Sequence, residues 1–399
     1  MRILKYTLIL SILLGSCVEP ADIETGSSAS LLVVQGSLTN EFKRHWVRVS
    51  STVGLNDQRD PTLQAIVWVT DDRSNRYNYS RNTEGVYESI IEFQGVVGRS
   101  YTLHVLQGLK EIVSTPQRLS SALPIDSIYV ENITLLDDEV VGERNGLQFF
   151  LDAANLGLGP VSLRYELTEA YVSRVPFPSV FIWDEPTQTA VRRETPLTTC
   201  YKQESGEDLL VASTLSQSQN AIRQFPLNFV PFDSEKVQSE YAVRVRQFVI
   251  SPQTFEFYRT LNENNQSSGS LFDSQKGRVL GNLSVEGDES EQILGYFEVA
   301  GVSEASIQLS SRQLTELGVS RRLSNQRILA CTPQVDTLRG NDLAEFFSTP
   351  FNRANFGFGS ELTQDTPFPL PDGIFQLAPL ECTDCRKDGA TLDRPSFWE

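Results

Sequence analysis

The stretch AIVWVTDDRSNRYNY, residues 65–79, decides the fold class. Its first six residues are rich in β-branched and aromatic side chains, which favour strands. Residues 72–75 are Asp, Arg, Ser and Asn, and three of these four types are typical of turns. Residues 77–79 then begin a return strand with two tyrosines. The stretch therefore predicts a β-hairpin.

Short segments of the same kind surround this hairpin. Residues 31–34 are an apolar opening strand, and in residues 45–50 Trp46, Arg48 and Ser50 share one face. Glycines introduce the later segments 85–87 and 101–105. Roughly seven short strands with a turn signal every 8–12 residues are typical of a β-sandwich. We predict an immunoglobulin-like or transthyretin-like sandwich over residues 31–120.

Residues 121–399 are predicted to form a larger β-rich domain, so the fold class is mainly β. Its strand candidates are residues 146–152, 161–167, 226–232, 241–250 and 293–300. Ser251 followed by Pro252 predicts a helix, because serine caps a helix and proline suits its first position. Shorter helical turns are expected near residues 315–317 and 341–348. The Gly-, Pro- and Phe-rich tail after Phe351 is expected to wrap this domain.

The N-terminus predicts export and lipid attachment. Arg2 and Lys5 precede a short apolar run, residues 6–14, that is too short to cross a membrane as a helix. We therefore interpret residues 1–16 as a signal peptide. The sequence Leu-Gly-Ser-Cys ending at Cys17 resembles the lipobox of bacterial lipoproteins, in which the cysteine thiol is acylated. Residues 17–30 are then a lipidated flexible tether.

The composition argues against a nucleic-acid partner. The chain has 51 acidic and 34 basic residues, a formal net charge of -17. A surface with this excess of negative charge repels phosphate backbones. The acidic residues Glu19 and Asp22, just after Cys17, resemble the export signal of surface lipoproteins. We therefore expect a folded body that is held to the outer membrane by its lipid and that faces the cell surface, with the periplasmic face as the alternative.

Four cysteines remain once Cys17 is assigned to the lipid. They are Cys200, Cys331, Cys382 and Cys385. An even number in an oxidising compartment predicts two disulfides, for which three pairings are possible. A four-cysteine zinc site is the alternative, but only Cys382 and Cys385 have the close spacing that such sites use. We expect at least one bridge from the tail to Cys331 or Cys200.

Several short motifs along the chain resemble one family in their order. They are residues 34–36, 98–103, 124–128, 269–273 and 294–297, followed by the tail motifs 382–386 and 395–398. Together with the lipobox they resemble a Bacteroidota lipoprotein family catalogued as a domain of unknown function. Its members are often encoded beside TonB-dependent receptors. The resemblance implies an accessory role at the outer membrane and supplies no catalytic residues.

A second resemblance concerns the sandwich. The spacing of alternating strand residues from Ala65 to Asp71, of Gly85 with Tyr87, and of Gly98 with Tyr101 is similar to that in transthyretin-like and carboxypeptidase-regulatory-like domains.

The sequence offers few residues for catalysis. His45 and His104 are the two histidines, and we expect both at the surface or at a sheet edge. Residues 301–305 (GVSEA) superficially match a nucleophile elbow but lie outside the α/β setting that this motif needs. Asp71, Asp72 and Asn75 match only part of a calcium loop, so we expect a solvated hairpin tip there. We predict no enzyme, no cofactor and no metal.

Three classes of function remain open. The first is an accessory or ligand-capture subunit of a TonB-dependent transporter, the second is a structural or adhesive surface protein, and the third is a hydrolase. A ligand site would lie on loops of the second domain, where aromatic residues cluster around Phe177, Phe181, Trp183 and Tyr201. Packing is the more common role of such residues, so none is assigned to a site.

Overall fold

The structure is a computed structural model, and it describes residues 30–52, 63–137, 142–154, 159–195, 197, 199–216, 219–266, 279, 281–320, 331, 335–359 and 374–398. The predicted signal peptide, Cys17 and all but the last residue of the tether lie outside these residues.

The described chain is mainly β, as the sequence predicts. Its strands are β1 Leu32–Thr39, β2 Trp46–Ser51, β3 Ile66–Asp71, β4 Arg76–Arg81, β5 Tyr87–Ser89, β6 Ser100–Gln107, β7 Lys110–Ser114, β8 Gln117–Arg118, β9 Ser127–Asp137, β10 Gly142–Ala154, β11 Ser162–Ser173, β12 Phe181–Asp184, β13 Thr189–Arg192, β14 Cys200–Ser205, β15 Leu210–Ser213, β16 Ala221–Pro231, β17 Tyr241–Ile250, β18 Leu283–Val285, β19 Asp288–Gln292, β20 Phe297–Leu309, β21 Val335–Arg339, β22 Phe356–Gly359 and β23 Ile374–Pro379. Its α-helices are α1 Pro252–Gln266, α2 Ser311–Glu316, α3 Gly340–Phe347, α4 Pro350–Asn355 and α5 Leu380–Thr383.

The predicted hairpin is confirmed. Strands β3 and β4 are antiparallel, with Val69 opposite Tyr77. Val67 and Val69 are fully buried, as are Tyr101, Leu103 and Val105 of the neighbouring strand β6. These residues alternate along their strands, so one face of each strand enters the core. Together with residues of β1, β2 and β18 they form one apolar cluster.

Strands from the two predicted domains are hydrogen-bonded to each other. Strand β1 runs parallel to β20, with Ser37 opposite Glu298, and β7 pairs with β18. Gly295 precedes β20 with a φ of 99°, and a Cβ at that position would lie 2.0 Å from the carbonyl oxygen of Val34. Only glycine allows both this backbone conformation and this close approach. The junction connects the strands into one continuous fifteen-stranded sheet among the described residues.

A second apolar cluster fills the other half of this sheet. Strands β11, β17 and β20 are adjacent and antiparallel, and the three-stranded sheet β16-β10-β9 packs against them. Phe149 of β10 and Tyr241 of β17 are fully buried there, with ring centroids 5.4 Å apart. Residues 301–305 lie in the middle of β20, an extended strand, which is not the sharp turn that a nucleophile elbow requires.

The C-terminal residues form a separate small layer. Strands β21, β23 and β22 make a three-stranded sheet, and the hairpin β12–β13 lies beside it. Disulfides join Cys200 to Cys385 and Cys331 to Cys382. The expectation of two disulfides with the tail bridged to Cys331 or Cys200 is confirmed, and both tail cysteines are used. Because the four sulfurs are bonded in two disulfide pairs, they are not available as zinc ligands.

The expectation that both histidines lie at the surface or at a sheet edge is wrong for His45. His45 is fully buried: its Nδ1 accepts a hydrogen bond from the Thr39 N–H (3.4 Å), and its Nε2 lies 2.9 Å from the Phe93 carbonyl oxygen. Burial lowers the pKa of His45 to about 4, so the ring is neutral at pH 7. His104 is half-buried on the interior strand β6, where it stacks on Trp68.

The hairpin tip is only partly solvated. Asp72 is exposed as expected, but Asp71 is buried. The Asp71 carboxylate accepts N–H bonds from Arg73 and Asn75 and forms an ion pair with Arg99 at 2.7 Å. These contacts hold the pKa of Asp71 below its usual range even though burial alone would raise it. The carboxylate therefore shapes the turn and is already occupied by protein donors.

Candidate ligand-binding cleft

A cleft of about 280 Å³ lies where strand β1 joins the large sheet. Strands β1, β11, β17 and β20 form its floor, and helix α1 forms one wall. Neighbouring strands place their side chains in register: Arg164 of β11 is opposite Phe248 of β17, and Glu166 is opposite Arg246. Side chains two residues apart on a strand share a face, so all four point to the same side of the sheet.

The floor of the cleft is a buried ion pair. Arg164 Nε and Nη2 donate to the two carboxylate oxygens of Glu298 at 2.9 and 2.8 Å, and Nη1 donates to Glu166 at 2.8 Å. The Arg164 and Glu298 side chains are only 10% and 2% exposed. Burial alone would lower the pKa of Arg164, but the charge of Glu298 and its hydrogen bonds raise it. Arg164 therefore stays ionised, and its two hydrogen bonds to Glu298 hold the pair in one geometry.

Two aromatic rings make cation–π contacts with the Arg164 guanidinium. Its central carbon lies 4.1 Å from the ring centroid of Phe248 and 5.3 Å from that of Tyr258 on helix α1. Burial, followed by the nearby charge of Glu298, raises the pKa of Tyr258, so its hydroxyl keeps its proton. Cation–π contacts of this kind are strongest where water is excluded. The arrangement fixes the side chains before any ligand arrives.

A second, more exposed pair lies at the rim. Arg246 donates to Glu41 at 2.6 Å and to Glu166 at 3.1 Å, and Lys43 also donates to Glu41 at 2.6 Å. Burial alone would raise the pKa of Glu41, but the hydrogen bond from Lys43 and the charge of Arg246 lower it overall. With the buried pair included, three cations face three carboxylates around the cleft. The site is therefore close to electrically neutral.

Helix α1 supplies the aromatic wall and begins where the sequence predicts. The Ser251 hydroxyl accepts the Thr254 N–H at 3.1 Å, and Pro252 occupies the first helical position. The Thr254 hydroxyl donates to the hydroxyl of Tyr296, whose ring is 4.7 Å from that of Phe257. The N-terminal cap of the helix is thus tied to an aromatic residue of the cleft.

One large ring remains accessible in this cleft. Trp46 of β2 is 41% exposed, whereas its strand neighbours Val47 and Val49 are fully buried. A flat apolar ring beside fixed polar groups is the pattern of small-molecule sites, in which apolar surface gives affinity and a few polar groups give orientation. Within the described ranges, no group of three or more His, Cys, Asp or Glu residues is arranged to hold a metal ion.

The comparisons with known proteins identify the family. The domain of unknown function DUF4249 matches residues 18–306, which is more than half of the chain. The chain belongs to this family. Every residue that lines the cleft, from Gln35 to Glu298, lies inside the DUF4249 match. The C-terminal layer after residue 306 lies beyond it.

The other comparisons add little. No curated protein matches the sequence. A crystal structure of a DUF4785 family protein from Legionella pneumophila aligns with 54% of this chain at 13% identity and a TM-score of 0.16. The chain spans about half the length of that structure, 52%. A similarity this low carries no argument about the DUF4249 protein.

The aromatic residues highlighted from the sequence lie outside the cleft. Phe177 packs against the Cys331–Cys382 disulfide, and Tyr201 packs edge-on against Trp398. Phe181 and Trp183 lie on strand β12, not on a loop, and contact rings of the C-terminal layer. None of the four lines the cleft in the DUF4249 match.

Sequence reasoning missed the residues that do line the cleft. Arg164 and Glu166 alternate with apolar residues along β11, a pattern that usually indicates a solvent-facing side. The partner of Arg164, Glu298, is 134 residues away in the chain. The alternation of charged and apolar residues along β11 indicates that the charged side chains share one face of the strand. A single sequence does not show that this face lies next to β20.

Proposed function

We propose that this DUF4249 protein is a non-catalytic lipoprotein of the outer membrane that captures a ligand for a TonB-dependent transporter. The lipid anchor is supported by the lipobox that ends at Cys17. The transporter partner is supported by the family resemblance. Ligand capture is supported by the cleft, which is the single observation that carries this part of the proposal.

The chemistry of the cleft favours a neutral, polar ligand. Its ionised groups are paired with one another, so an additional charge would meet no uncompensated partner. The remaining features are the exposed ring of Trp46 and the polar side chains of Gln35 and Ser37. Neutral oligosaccharides and zwitterionic dipeptides both fit a flat apolar surface with hydrogen-bonding groups at its edge.

Among the described residues, no helix is both long enough and apolar enough to cross a membrane.

Location and partnership are tested with the Cys17→Ala variant in intact cells. We expect the natural protein to incorporate labelled palmitate, to fractionate with the outer membrane and to copurify with one β-barrel receptor near one-to-one in mild detergent. The variant should lose the label and the membrane association. Recovery of no barrel, together with an adhesion defect on deletion, would favour the structural alternative.

Ligand capture is tested by calorimetry with a panel of neutral oligosaccharides and dipeptides. Trp46→Ala should weaken any binding that the panel detects by about tenfold, the usual effect of removing a contact of about 1.4 kcal/mol. Phe42→Ala is the matched control, because Phe42 is 68% exposed and lies outside the cleft lining. Equal losses in the two variants, or tighter binding of a sulfated oligosaccharide than of its neutral counterpart, would contradict the assignment of the cleft.

A further inference from the structure

A second cavity lies between the hairpin β12–β13 and the C-terminal layer, and it differs in character from the cleft. Its volume is about 380 Å³. Aromatic side chains form its apolar part, with the ring of Trp183 5.1 Å from that of Phe347, and the ring of Phe358 5.3 Å from Phe347 on the other side. Phe181 and Phe356 complete this apolar surface.

The polar part of this cavity carries an excess of positive charge. Four cations line it, Arg193, Arg353, Arg386 and Lys387, against two carboxylates, Glu185 and Asp384. Both carboxylates are already engaged. Asp384 accepts two hydrogen bonds from Arg386 at 2.8 and 2.7 Å, and Glu185 pairs with Arg353 at 2.9 Å.

Arg193 and Lys387 are the two cations without such an ion pair among the described residues, and Lys387 is exposed whereas Arg193 is partly buried. The Arg193 Nε donates to the Phe181 carbonyl oxygen at 3.1 Å, and among the described residues its guanidinium forms no ion pair. Burial and the like charge of Arg386 lower the pKa of Arg193, against a smaller opposing effect of Asp384. Two guanidinium groups that repel each other beside an apolar surface are stabilised when an anion is placed between them. This concentration of positive charge is notable in a chain whose net charge is -17.

We propose that this cavity binds a small organic anion, with its carboxylate between Arg193 and Arg386 and its apolar or aromatic body against Trp183 and Phe347. The site is independent of the cleft under helix α1 and shares no lining residue with it. Guanidinium groups suit this role because their planar donors match the two oxygens of a carboxylate.

The two disulfides complete this site. The lining residues Leu380, Asp384, Arg386 and Lys387 lie in the segment that contains Cys382 and Cys385. Each of these cysteines is bonded to a distant part of the chain, Cys331 or Cys200. Reduction would remove the covalent links that fix this wall to the rest of the protein. We therefore expect anion binding at this cavity to be weaker in the reduced protein.

The test uses the full mature protein in mild detergent and three probes of one shape: 2-naphthoate, its neutral amide and 2-naphthylmethylamine. Calorimetry should show 2-naphthoate binding at least about tenfold more tightly than the amide, as a charge-assisted contact predicts. The amine should not bind detectably. Reduction with dithiothreitol should weaken naphthoate binding to the level of the amide. Equal affinity for acid and amide would overturn the proposal.

Variants locate the binding. Arg193→Gln should weaken 2-naphthoate binding by about tenfold, and Arg193→Lys should restore part of it because a positive charge returns. Arg312→Gln is the matched control, since Arg312 is 88% exposed on helix α2 and distant from the cavity lining. If Arg193→Gln fails to fold, Arg386→Gln provides the same test from the other side of the bound carboxylate. Unchanged affinity in the folded Arg193 or Arg386 variant, or an equal loss in Arg312→Gln, would place the anion elsewhere.

Discussion

The large sheet and the C-terminal layer are stabilised in different ways. Two clusters of 20 and 19 buried residues support the large sheet. The clusters of the C-terminal layer contain only four or five buried residues each, and disulfide cysteines are part of two of them. A small apolar core supplies little free energy of folding, and covalent links commonly compensate for this. The difference indicates that cross-links matter most where the core is smallest.

Removing both disulfides should have the largest effect and should show most clearly that the two regions differ in stability. The bridges span 185 and 51 residues of sequence, and the chain-entropy relation gives about 5 and about 4 kcal/mol for loops of this length. A variant with all four cysteines changed to serine should therefore lose protection in β21, β22 and β23. Hydrogen exchange with mass spectrometry measures this segment by segment.

The large sheet provides the internal control for this experiment. Strand β6 lies in the interior of the sheet and carries three fully buried side chains, so its exchange should be unchanged. Equal loss of protection in β6 and β23 would show that the two regions unfold as one unit.

The buried ion pair should have the next largest effect, this time in the large sheet. Glu298→Gln removes the buried partner of Arg164 and leaves only the half-exposed Glu166 beside the charge; breaking a buried pair typically costs about 3–5 kcal/mol. Urea denaturation of the whole protein measures the change in free energy of unfolding. Glu316→Gln breaks the exposed pair with Arg312 and should cost less than about 0.5 kcal/mol.

A double variant distinguishes an unpaired charge from lost packing. Arg164→Met in the Glu298→Gln background removes the buried positive charge and should recover part of the free energy of unfolding that Glu298→Gln loses. If the double variant is as unstable as the two single changes added together, the pair contributes through shape rather than charge.

The sequence predicted the large sheet better than the C-terminal layer, and the reason is periodicity. In residues 65–105 the buried positions alternate, and this local pattern gave the hairpin and its strands correctly. The same pattern could have placed His45, because it shares a strand face with Val47 and Val49, and both are fully buried. Assigning it to the surface followed the residue type and ignored its position.

The cleft and the cavity could not be predicted in this way. The Arg164–Glu298 pair joins strands that are 134 residues apart, and Arg193 meets Arg386 only through the fold of the tail. Single-sequence patterns report on neighbours along one element, whereas both sites are formed between elements. The number of disulfides followed from composition, but the choice among three pairings needed the three-dimensional arrangement.

His45 should make the large sheet sensitive to pH. Its pKa is about 4 in the folded protein, against an ordinary value of 6.5. The unfolded chain therefore binds the proton more readily, so stability is complete above pH 6.5 and falls as the pH drops toward 4. The difference of about 2.5 pKa units corresponds to about 3 kcal/mol. Urea denaturation at pH 7.5 and pH 4.5 measures this loss.

The His45→Gln variant isolates this contribution from that of the carboxylates. The charged groups near His45 are Lys43 and Glu41, and both remain in the variant. We expect the variant to lose about 2.5 kcal/mol less than the natural protein between the two pH values, because pH 4.5 still lies above the folded pKa and the full effect is not reached. A dependence that is unchanged in His45→Gln would assign it to other groups.

The smallest expected effects compare one helix cap from each region. Ser310 caps helix α2 and Thr349 caps helix α4, each accepting a backbone N–H three residues later. Removing such a cap costs about 1 kcal/mol of helix stability. Leu314 of α2 is buried in the core of the large sheet, whereas α4 has no buried residue. Ser310→Ala should therefore lower the global free energy of unfolding by about 1 kcal/mol. Thr349→Ala should leave the global transition in place and increase hydrogen exchange only in α4 and β22. Equal shifts of the urea midpoint in both variants would mean that the C-terminal layer is part of the same cooperative unit as the sheet.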